Sequence, residues 1–365
     1  MKQVLFFLAE HNFGLTSLLV GQALSLKDDD DFKFVFLTGT SEKEVGLFNE
    51  LDEHSISYKY IQGIEYHERF GFLVQQIRNL FLSIRPEFIH VQTNWQLCIV
   101  VFAKLLTLSN VKILYTVHGF RHNNKYKSFF ARIIMSLALM FLVKRVIVCS
   151  DYTKSNFKIL SYKIQKIYLG VDKGIFALKK HSDINPDGLI RLVFAGEFRH
   201  GKNQLLLVKT LSKLKNHYPH LKFKLTLPGD GPLKGEVILA LDSLKLKEEV
   251  ILPGFLPKSQ IIRLVHMSDI AIIPTNSETF GLAIAEAFSL GLCVISRNVG
   301  VAPEVLVSGL NGFLFNKDSE LYYVLEQLFA NPELIGRCSE NAYKQRDIFR
   351  WEAISNKYKL LLKDL

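Results

Sequence analysis

Short apolar runs alternate with amphipathic segments along most of this 365-residue chain. Short apolar runs are typical of buried strands in a parallel sheet, and apolar positions three and four residues apart are typical of helices. In the first half the pattern predicts strands at residues 3–8, 33–37, 57–61, 88–91, 112–117 and 146–150. Strands and helices in strict alternation predict a doubly wound α/β domain.

The predicted helices of the first half fill the intervals between these strands. They lie at 66–84, 95–108 and 126–143, and a loop containing Gly14 precedes one more helix from about residue 15. The first of the three ends before Pro86, because proline keeps the preceding residue out of the helical conformation. The acidic run Asp28 to Asp31 predicts a solvated turn.

The second half repeats the alternation after a polar stretch at 178–189, which contains Pro186 and Gly188 and predicts a linker. Strands are predicted at 190–195, 225–227, 270–273, 293–296 and 313–315, and helices from about Asn203, at 258–268 and from about Trp351. The chain is therefore divided into a first domain at 1–180, a second domain at 181–347 and a C-terminal helix at 348–365.

Composition narrows the class of protein. Hydrophobic residues make up 48% and charged residues 22%, which predicts a globular chain. The four cysteines have no C-x-x-C spacing, so we expect a reduced, cytoplasmic protein without a zinc site. The longest apolar run, residues 129–143, contains Arg132 and is shorter than the roughly 20 residues that span a bilayer. The apolar opening is interpreted as the first strand rather than a signal peptide.

Positive charge is concentrated in the first domain. The chain carries a formal net charge of +10, and the stretch between Glu87 and Asp151 contains eight lysines and arginines but no carboxylate. Such an imbalance predicts an anionic partner. Interleaved Phe, Ile, Leu and Met favour an anionic membrane surface or an acidic lipid-linked acceptor. A nucleic acid is not predicted, because no recognition motif accompanies the charge.

The stretch 274–290, PTNSETFGLAIAEAFSL, carries the candidate chemistry. A loop with Glu278 follows a buried strand and leads into a helix with Glu286, and ligands bind at this edge of open α/β sheets. The first helical amides form an anion site, and Gly281 lets a phosphate approach the chain. The carboxylates are expected to accept hydrogen bonds from hydroxyls on either side, as in a sugar nucleotide. The helical amides that are predicted to form the anion site belong to Phe280, Gly281 and Leu282.

The string resembles the E-x(7)-E signature of retaining glycosyltransferases with the GT-B fold, of the family 4 (glycosyl transferases group 1) type. The resemblance implies two Rossmann-like doubly wound domains facing across a cleft, with the C-terminal helix crossing back to the first. The first domain would bind the acceptor and the second the nucleoside-diphosphate sugar. It also implies transfer without a metal or other cofactor, by a same-face displacement assisted by the leaving phosphate.

Further stretches extend the resemblance. His118, in a T-x-H-G sequence after the strand at 112–117, is implied to lie by the reacting sugar as a catalytic residue. The resemblance implies that Lys202 holds the diphosphate and that Glu278 binds the donor sugar, both with catalytic roles. It implies that Glu286 binds the ribose. Phe255 follows Gly254, and in relatives the backbone after that glycine lies near the nucleotide base. Gly14 lies in the first turn, which in the family often has paired glycines near the donor phosphate and the acceptor, so it is implied to let the donor approach the backbone; the alternative is a plain loop glycine.

Three positions depart from the family pattern. Glu197 stands where an arginine is common, so Arg199 is a candidate for the missing cation. Leu169 replaces an asparagine in the N-G-V-D turn at the end of the first domain, and the first turn has one glycine instead of two. The alternative, that Lys202 and the helix amides hold the diphosphate alone, stays open.

The function implied by the resemblance is transfer of a sugar to a glycan or lipid-linked acceptor in cell-surface polysaccharide or lipopolysaccharide synthesis. The enzyme would be cytoplasmic, with a peripheral position on the inner face of the cell membrane left open. The alternatives are a GT-B sugar-nucleotide epimerase and a non-catalytic protein that binds a sugar nucleotide or a membrane. A nicotinamide-dependent oxidoreductase is disfavoured, because no G-x-G-x-x-G follows any predicted strand.

Overall fold

A computed structural model describes residues 1–7, 21–38, 51–53, 55–62, 69–118, 136–155, 158–180 and 188–365. It divides into two compact units. One comprises Met1–Gly170 together with Trp351–Leu365, and the other comprises Val171–Arg350. The boundaries predicted from the sequence, at 180 and 347, lie near these breaks but do not coincide with them.

The first unit is built on a parallel sheet. Its described strands are paired in the order β3-β2-β1-β4-β5-β6-β7. The winding reverses between β1 and β4, and ligands bind at the carboxyl ends of the strands beside such a point. The strands are β1 Lys2–Phe7, β2 Phe32–Thr38, β3 Tyr58–Tyr60, β4 Phe88–Val91, β5 Lys112–Val117, β6 Val143–Val148 and β7 Ile164–Lys166.

The helices of this unit cover the sheet with their apolar stripes. The helix Phe70–Ile84 buries residues three and four apart, and the helix Asn94–Thr107 is capped by the Thr93 hydroxyl, which accepts from the Gln96 amide at 3.2 Å. Shorter helical elements of this unit include the π-helix Ala138–Leu142, the helix Asp151–Lys154 and the 3₁₀ turn Lys158–Lys163.

The prediction of a helix up to residue 143 is wrong at its end. Val143 opens β6 and pairs with Ile113, and a register irregularity in β5 follows that pair. A buried valine at a strand edge and a helical apolar position have the same local sequence pattern, so pairing with β5 decides between them. Residues 119–135, which hold most of the predicted helix, lie outside the described residues.

The second unit repeats the plan with a parallel sheet in the order β10-β9-β8-β11-β12-β13. Its winding reverses between β8 and β11. The strands are β8 Ile190–Val193, β9 Phe223–Thr226, β10 Val250–Ile251, β11 Ile270–Ile273, β12 Cys293–Arg297 and β13 Gly312–Phe315. Its helices are Lys173–Ala177, Gln204–His217, Lys234–Ser243, Lys258–His266, Leu282–Ser289, Ala302–Val305, Asp318–Ala330 and Glu333–Gln345, with a 3₁₀ turn at Arg346–Phe349.

The C-terminal helix, Trp351–Lys363, belongs to the first unit and buries its apolar side there. The ring of Tyr358 lies 5.2 Å from that of His90 in a stacked arrangement, and 6.0 Å from Phe6 edge to face. Tyr358 and His90 are both almost fully buried, at 1% and 2% exposure. The helix therefore forms one wall of the interior beside the central strands.

The acidic run before β2 anchors the C-terminal helix, so the prediction of a solvated turn is wrong for Asp29. The Asp29 carboxylate, 9% exposed, lies 2.7 Å from the Lys359 ammonium and accepts the Phe32 amide at 2.8 Å. Burial raises the pKa of Asp29, but the bonds from Lys359 and the backbone amides outweigh it, and the net pKa is lowered. Asp31 pairs with Lys363 at 2.5 Å, and both of these side chains are half exposed.

Among the described residues, no helix combines the length and the apolar content required to cross a membrane.

We predict that Asp29→Asn lowers the free energy of unfolding of the first unit by about 2 kcal/mol, the range for a hydrogen bond to a charged group. Asp31→Asn is the matched control, and its exposed pair predicts a loss below about 1 kcal/mol. Urea unfolding followed by tryptophan fluorescence measures both, because Trp95 and Trp351 both lie in this unit.

The effect of Asp29→Asn depends on pH in a known direction. The pKa of Asp29 is lower in the folded protein than in the unfolded chain. Its contribution to the free energy of unfolding is therefore fully present above the unfolded pKa, near 4, and is lost as pH falls through the folded pKa. The difference from the unmodified protein is therefore expected to persist at pH 7 and to shrink in acid. Equal losses for the two variants at pH 7 contradict the anchoring role.

Candidate functional site

Two loops leave the sheet of the second unit side by side. The strands β8 and β11 are direct neighbours, with Leu192 opposite Ile270 and Val193 opposite Ala271. The loop at residues 194–203 follows β8, and the loop at 274–281 follows β11. Both begin at the carboxyl ends of strands beside the reversal of winding, which is the position where open α/β sheets bind ligands.

Asn203 joins the two loops. Its side-chain amide donates to the Pro274 carbonyl at 2.8 Å and to the Asn276 Oδ1 at 2.5 Å, and the Asn276 amide donates to the Gly201 carbonyl at 2.8 Å. Asn203 has a left-handed backbone (φ 61°) just before the helix Gln204–His217, as predicted for that helix start. The linking role of Asn203 was missed, because a polar residue before a helix is read as a cap.

Lys202 and Glu278, both predicted site residues, are brought together. The Lys202 Nζ lies 2.5 Å from the Glu278 Oε1, and the side chains are 18% and 20% exposed. An ammonium has three donors, and this bond uses one of them. The pair therefore places a cation in contact with a carboxylate that can accept hydrogen bonds from hydroxyls, at the carboxyl edge of the sheet.

Arg199, the candidate substitute for the missing arginine, pairs with Glu197. The Arg199 Nε lies 3.0 Å from the Glu197 Oε2, and the side chains are 50% and 59% exposed. The residue that departs from the family pattern is thus neutralised by the cation two positions later. An exposed pair of this kind is weak, so its stability does not prevent Arg199 from reaching a ligand.

The helix Leu282–Ser289, here called the site helix, begins at Gly281. The amides of Ile284 and Ala285 donate to the Gly281 carbonyl, so the helical bonds begin with those two residues. Gly281 has φ 90°, and a Cβ there would lie 2.6 Å from the Ile284 Cδ1. Only glycine fits this start, which directs the leading amides of the helix to the carboxyl edge of the sheet.

Phe280, whose amide was predicted to face the ligand, is 2% exposed, and its carbonyl accepts the Val301 amide at 2.8 Å. Its side chain packs edge to face against Phe349. Phe280 is therefore a buried residue that fixes the approach to Gly281 and Leu282.

Glu286 lies on the site helix and forms an ion pair with Lys258, the first residue of the helix Lys258–His266. Glu286 also lines an otherwise apolar cavity between that helix and the sheet. The cavity is formed by Val193, Phe194, Ala195, Ile273, Ala283 and Ala287, among others. Lys258 was missed, since nothing in the sequence links it to a carboxylate 28 positions later.

Phe255 is 76% exposed beside the other loops of this edge. It follows Gly254, whose carbonyl accepts the Gly229 amide at 2.8 Å. An exposed aromatic ring in such a place is available to stack on a flat ligand group. Gly14, the remaining predicted donor residue, lies outside the described residues.

His118 belongs to the first unit and follows β5. Its Nε2 lies 2.6 Å from the Oε1 of Gln92, which follows β4. Burial lowers the pKa of His118 to about 4, so the imidazole is neutral at pH 7. Gln92 was missed because a glutamine after a strand has no motif, although its position beside His118 follows from the pairing of β4 with β5.

Among the described residues, no group of three or more His, Cys, Asp or Glu side chains is placed to hold a metal ion. All four cysteines are free thiols.

Two parallel doubly wound sheets define the class of the protein as a GT-B fold. The whole chain is similar to the solved structure of HepE from Anabaena in complex with UDP-glucose, with a TM-score of 0.78, 18% identity and complete coverage of both chains. Residues 32–174 match the model described as Glycosyltransferase Family 4, and residues 177–345 match Glycosyl transferases group 1. The chain therefore carries a Glycosyltransferase Family 4 domain followed by a domain of the glycosyl transferases group 1 family.

Relatives with curated names match over part of their length. The chain is 30% identical over 168 residues to alpha-monoglucosyldiacylglycerol synthase of Acholeplasma laidlawii, covering 46% of this chain and 41% of that protein. It is 28% identical over 214 residues to N-acetyl-alpha-D-glucosaminyl L-malate synthase of Bacillus anthracis, covering 55% and 54%. The chain thus matches about half the length of these relatives.

We predict that Gly281→Ala destabilises the second unit by about 2 kcal/mol or more, because backbone strain of about 1–2 kcal/mol adds to the clash with Ile284. Gly309→Ala is the matched control, since its φ of 77° is similar but a Cβ there meets nothing within 4 Å. Thermal unfolding by calorimetry measures the difference. Equal losses would show that the close contact with Ile284 does not hold the start of the site helix.

Proposed function

We propose that this protein transfers a sugar from a nucleoside-diphosphate sugar to a hydroxyl of a lipid-linked or glycan acceptor, with retention of anomeric configuration. The observation that carries the proposal is the arrangement at the ends of β8 and β11. The loops and the helix that follow these two strands carry the Lys202–Glu278 pair, the leading amides of the site helix and Glu286. All of them lie beside the reversal of winding between β8 and β11. The match of residues 177–345 to the group 1 model supports it.

The chemistry required is stabilisation of a leaving diphosphate. As the bond from the anomeric carbon to the phosphate oxygen breaks, that oxygen gains negative charge, and donors already aimed at it lower the barrier. The Lys202 ammonium and the amides of Gly281 and Leu282 would supply those donors. In the same-face route the acceptor oxygen attacks from the side of the leaving group and passes its proton to the departing phosphate. No cofactor enters this scheme.

The two carboxylates would recognise hydroxyls on either side of the diphosphate. Glu278 would accept from hydroxyls of the donor sugar while keeping its bond to Lys202, because a carboxylate can accept at several positions. Glu286 would accept from the ribose, with the adjacent apolar cavity beside it and Phe255 near the base. His118, neutral at pH 7, would contact the sugar near its anomeric carbon.

The comparisons guide the choice of substrates. HepE was solved with UDP-glucose, and the Acholeplasma relative is named for a glucosyl diacylglycerol product. We therefore propose a UDP-sugar as donor and a lipid-linked hydroxyl as acceptor, in the assembly of a cell-surface glycan or lipopolysaccharide. The malate-modifying relative makes a small hydroxy acid the second acceptor class to test.

We predict that a panel of nucleotide sugars gives transfer with at least one UDP-sugar, and that Lys202→Met lowers kcat/KM by about 100-fold or more, the usual effect of losing a charge-stabilising donor. Lys209→Met is the matched control, because Lys209 is exposed on the helix that follows the same loop. Product formation is measured by chromatography, and donor binding is measured by thermal shift and calorimetry.

The outcomes separate the rival functions. Transfer with the product anomer matching the donor, seen by NMR, supports the proposal, and an inverted product rejects retention. Altered sugar nucleotide formed without any acceptor identifies an epimerase. Donor binding with neither transfer nor hydrolysis identifies a binding protein. Near-normal turnover by Lys202→Met removes this lysine from the mechanism.

We further propose that the first unit rests on an anionic membrane at the inner face of the cell. The end of the helix Asn94–Thr107 exposes Leu105 by 52%, Leu106 by 62% and Leu108 by 87%. The basic segment between them and β6 lies mostly outside the described residues. Lys104 does not contribute a surface charge, because its ammonium turns inward to the Val111 carbonyl at 2.6 Å.

We predict that vesicles containing anionic lipids retain the protein at low salt and release much of it at high salt, since charge attraction is screened. Leu106→Glu is expected to weaken retention, because it places a negative charge on the apolar surface. Leu239→Glu, at an equally exposed leucine of the second unit, is the matched control. Co-sedimentation measures binding, and equal retention of both variants on either lipid charge contradicts membrane docking.

A further inference from the structure

A cavity in the first unit lies behind His118. It occupies about 300 Å³, part of it open to solvent, and its walls include His90, Gln92, Thr116 and Tyr358. The side chains of His90, Gln92 and Tyr358 are each at least 97% buried. The cavity is therefore a polar space at the carboxyl edge of β4 and β5, bounded on one side by the C-terminal helix.

Three polar atoms on the walls have no hydrogen-bond partner among the described residues. They are the Nδ1 of His90, the Nε2 of Gln92 and the Oη of Tyr358. A buried polar group without a partner costs about 1–3 kcal/mol, and such groups in native proteins are usually satisfied by ordered water. All three belong to residues that line one cavity with access to solvent, which makes this cavity a candidate water site.

The other end of the Gln92 amide contacts the predicted catalytic histidine. The Gln92 Oε1 lies 2.6 Å from the His118 Nε2, and the Gln92 backbone amide donates to the Gln96 Oε1 at 2.8 Å. Gln92 is thus held at its backbone, and its side-chain amide can adopt two orientations that exchange the positions of its oxygen and nitrogen. A water that donates its two hydrogens to the His90 Nδ1 and the Tyr358 Oη can only accept from Gln92, so it requires the Nε2 on its side and the oxygen facing His118.

We propose that Gln92 is a positioning residue for His118: water in the cavity bridges the Gln92 Nε2, the His90 Nδ1 and the Tyr358 Oη, and the Gln92 oxygen accepts the Nε2–H of His118. The imidazole is thereby held as the Nε2–H tautomer, with its lone pair on Nδ1. The consequence for catalysis rests on the proposed function, in which His118 contacts the reacting sugar. The tautomer itself does not depend on that function.

Two other titratable side chains, those of His90 and Tyr358, line the cavity with His118. Burial lowers the pKa of His90 to about 3, and burial raises the pKa of Tyr358, so both are uncharged at pH 7. The His90 Nε2 lies 2.6 Å from the Thr116 hydroxyl. A neutral amide at position 92 suits this setting, because a carboxylate there would favour the imidazolium form of His118.

Ring-nitrogen NMR of protein labelled at histidine tests the inference directly, with His118 assigned by comparison with His118→Gln. The unmodified protein is expected to give a single Nε2–H tautomer of His118. Gln92→Leu is expected to give a mixture of tautomers. Gln75→Leu is the matched control, because it makes the same change at an exposed glutamine of the same unit and should leave the His118 signals unchanged.

Kinetics and pH supply the second readout. We expect Gln92→Leu to lower kcat about 10- to 100-fold through misplacement of His118, with KM for the nucleotide sugar little changed. Gln92→Glu is expected to raise the pKa of His118 and to shift the acid limb of the rate profile to higher pH, so that activity recovers as pH rises. Melting temperatures check that the variants fold.

An unchanged His118 tautomer in Gln92→Leu overturns the proposal, whatever the activity. The tautomer mixture together with a normal kcat also overturns the positioning role. If no nucleotide sugar is turned over by the unmodified protein, the proposed transfer fails. The NMR comparison then still decides whether Gln92 holds the histidine.

Discussion

The ion pair between Lys202 and Glu278 joins the two halves of the candidate donor site. Lys202 ends the loop after β8, Glu278 belongs to the loop after β11, and both side chains are about four-fifths buried. Ion pairs removed from water contribute little net stability by themselves, but removing one partner leaves the other charge uncompensated in a partly buried place. The pair therefore constrains the loops to move together, and Asn203 adds two neutral hydrogen bonds to the same junction.

Much of this architecture is predictable from the sequence because apolar runs report burial. The predicted strands at 88–91, 112–117 and 270–273 have the bounds found in the structure. A buried parallel strand is apolar on both faces and ends sharply at polar loop residues, so its limits are visible locally. The expectation of a GT-B fold and of the family rests on the resemblance of the E-x(7)-E string and the other quoted motifs, and the order of the predicted elements agrees with it.

The contacts that the sequence did not predict share a different cause. Lys258 meets Glu286, Gln92 meets His118 and Asp29 meets Lys359 only because strands and helices are packed side by side. Sequence spacing carries no record of these contacts, and each residue type is ordinary on a solvated surface. Val143 shows the same limit within one element, since its strand conformation depends on pairing with β5. Contacts between elements therefore stay hidden where no motif names both partners.

The charges around the site helix bear on which ligands this edge can select. Each cation there is matched by a carboxylate: Lys202 with Glu278, Lys258 with Glu286, and Arg199 with Glu197. A site balanced in this way attracts a free diphosphate weakly, because the carboxylates oppose the anion as much as the ammonium groups attract it. Hydroxyls on both sides of the diphosphate reverse the balance, since each carboxylate then gains a donor. Under the proposed function, the same acidic residues that would penalise pyrophosphate alone would favour a sugar nucleotide, which carries the anion and the hydroxyls in one molecule.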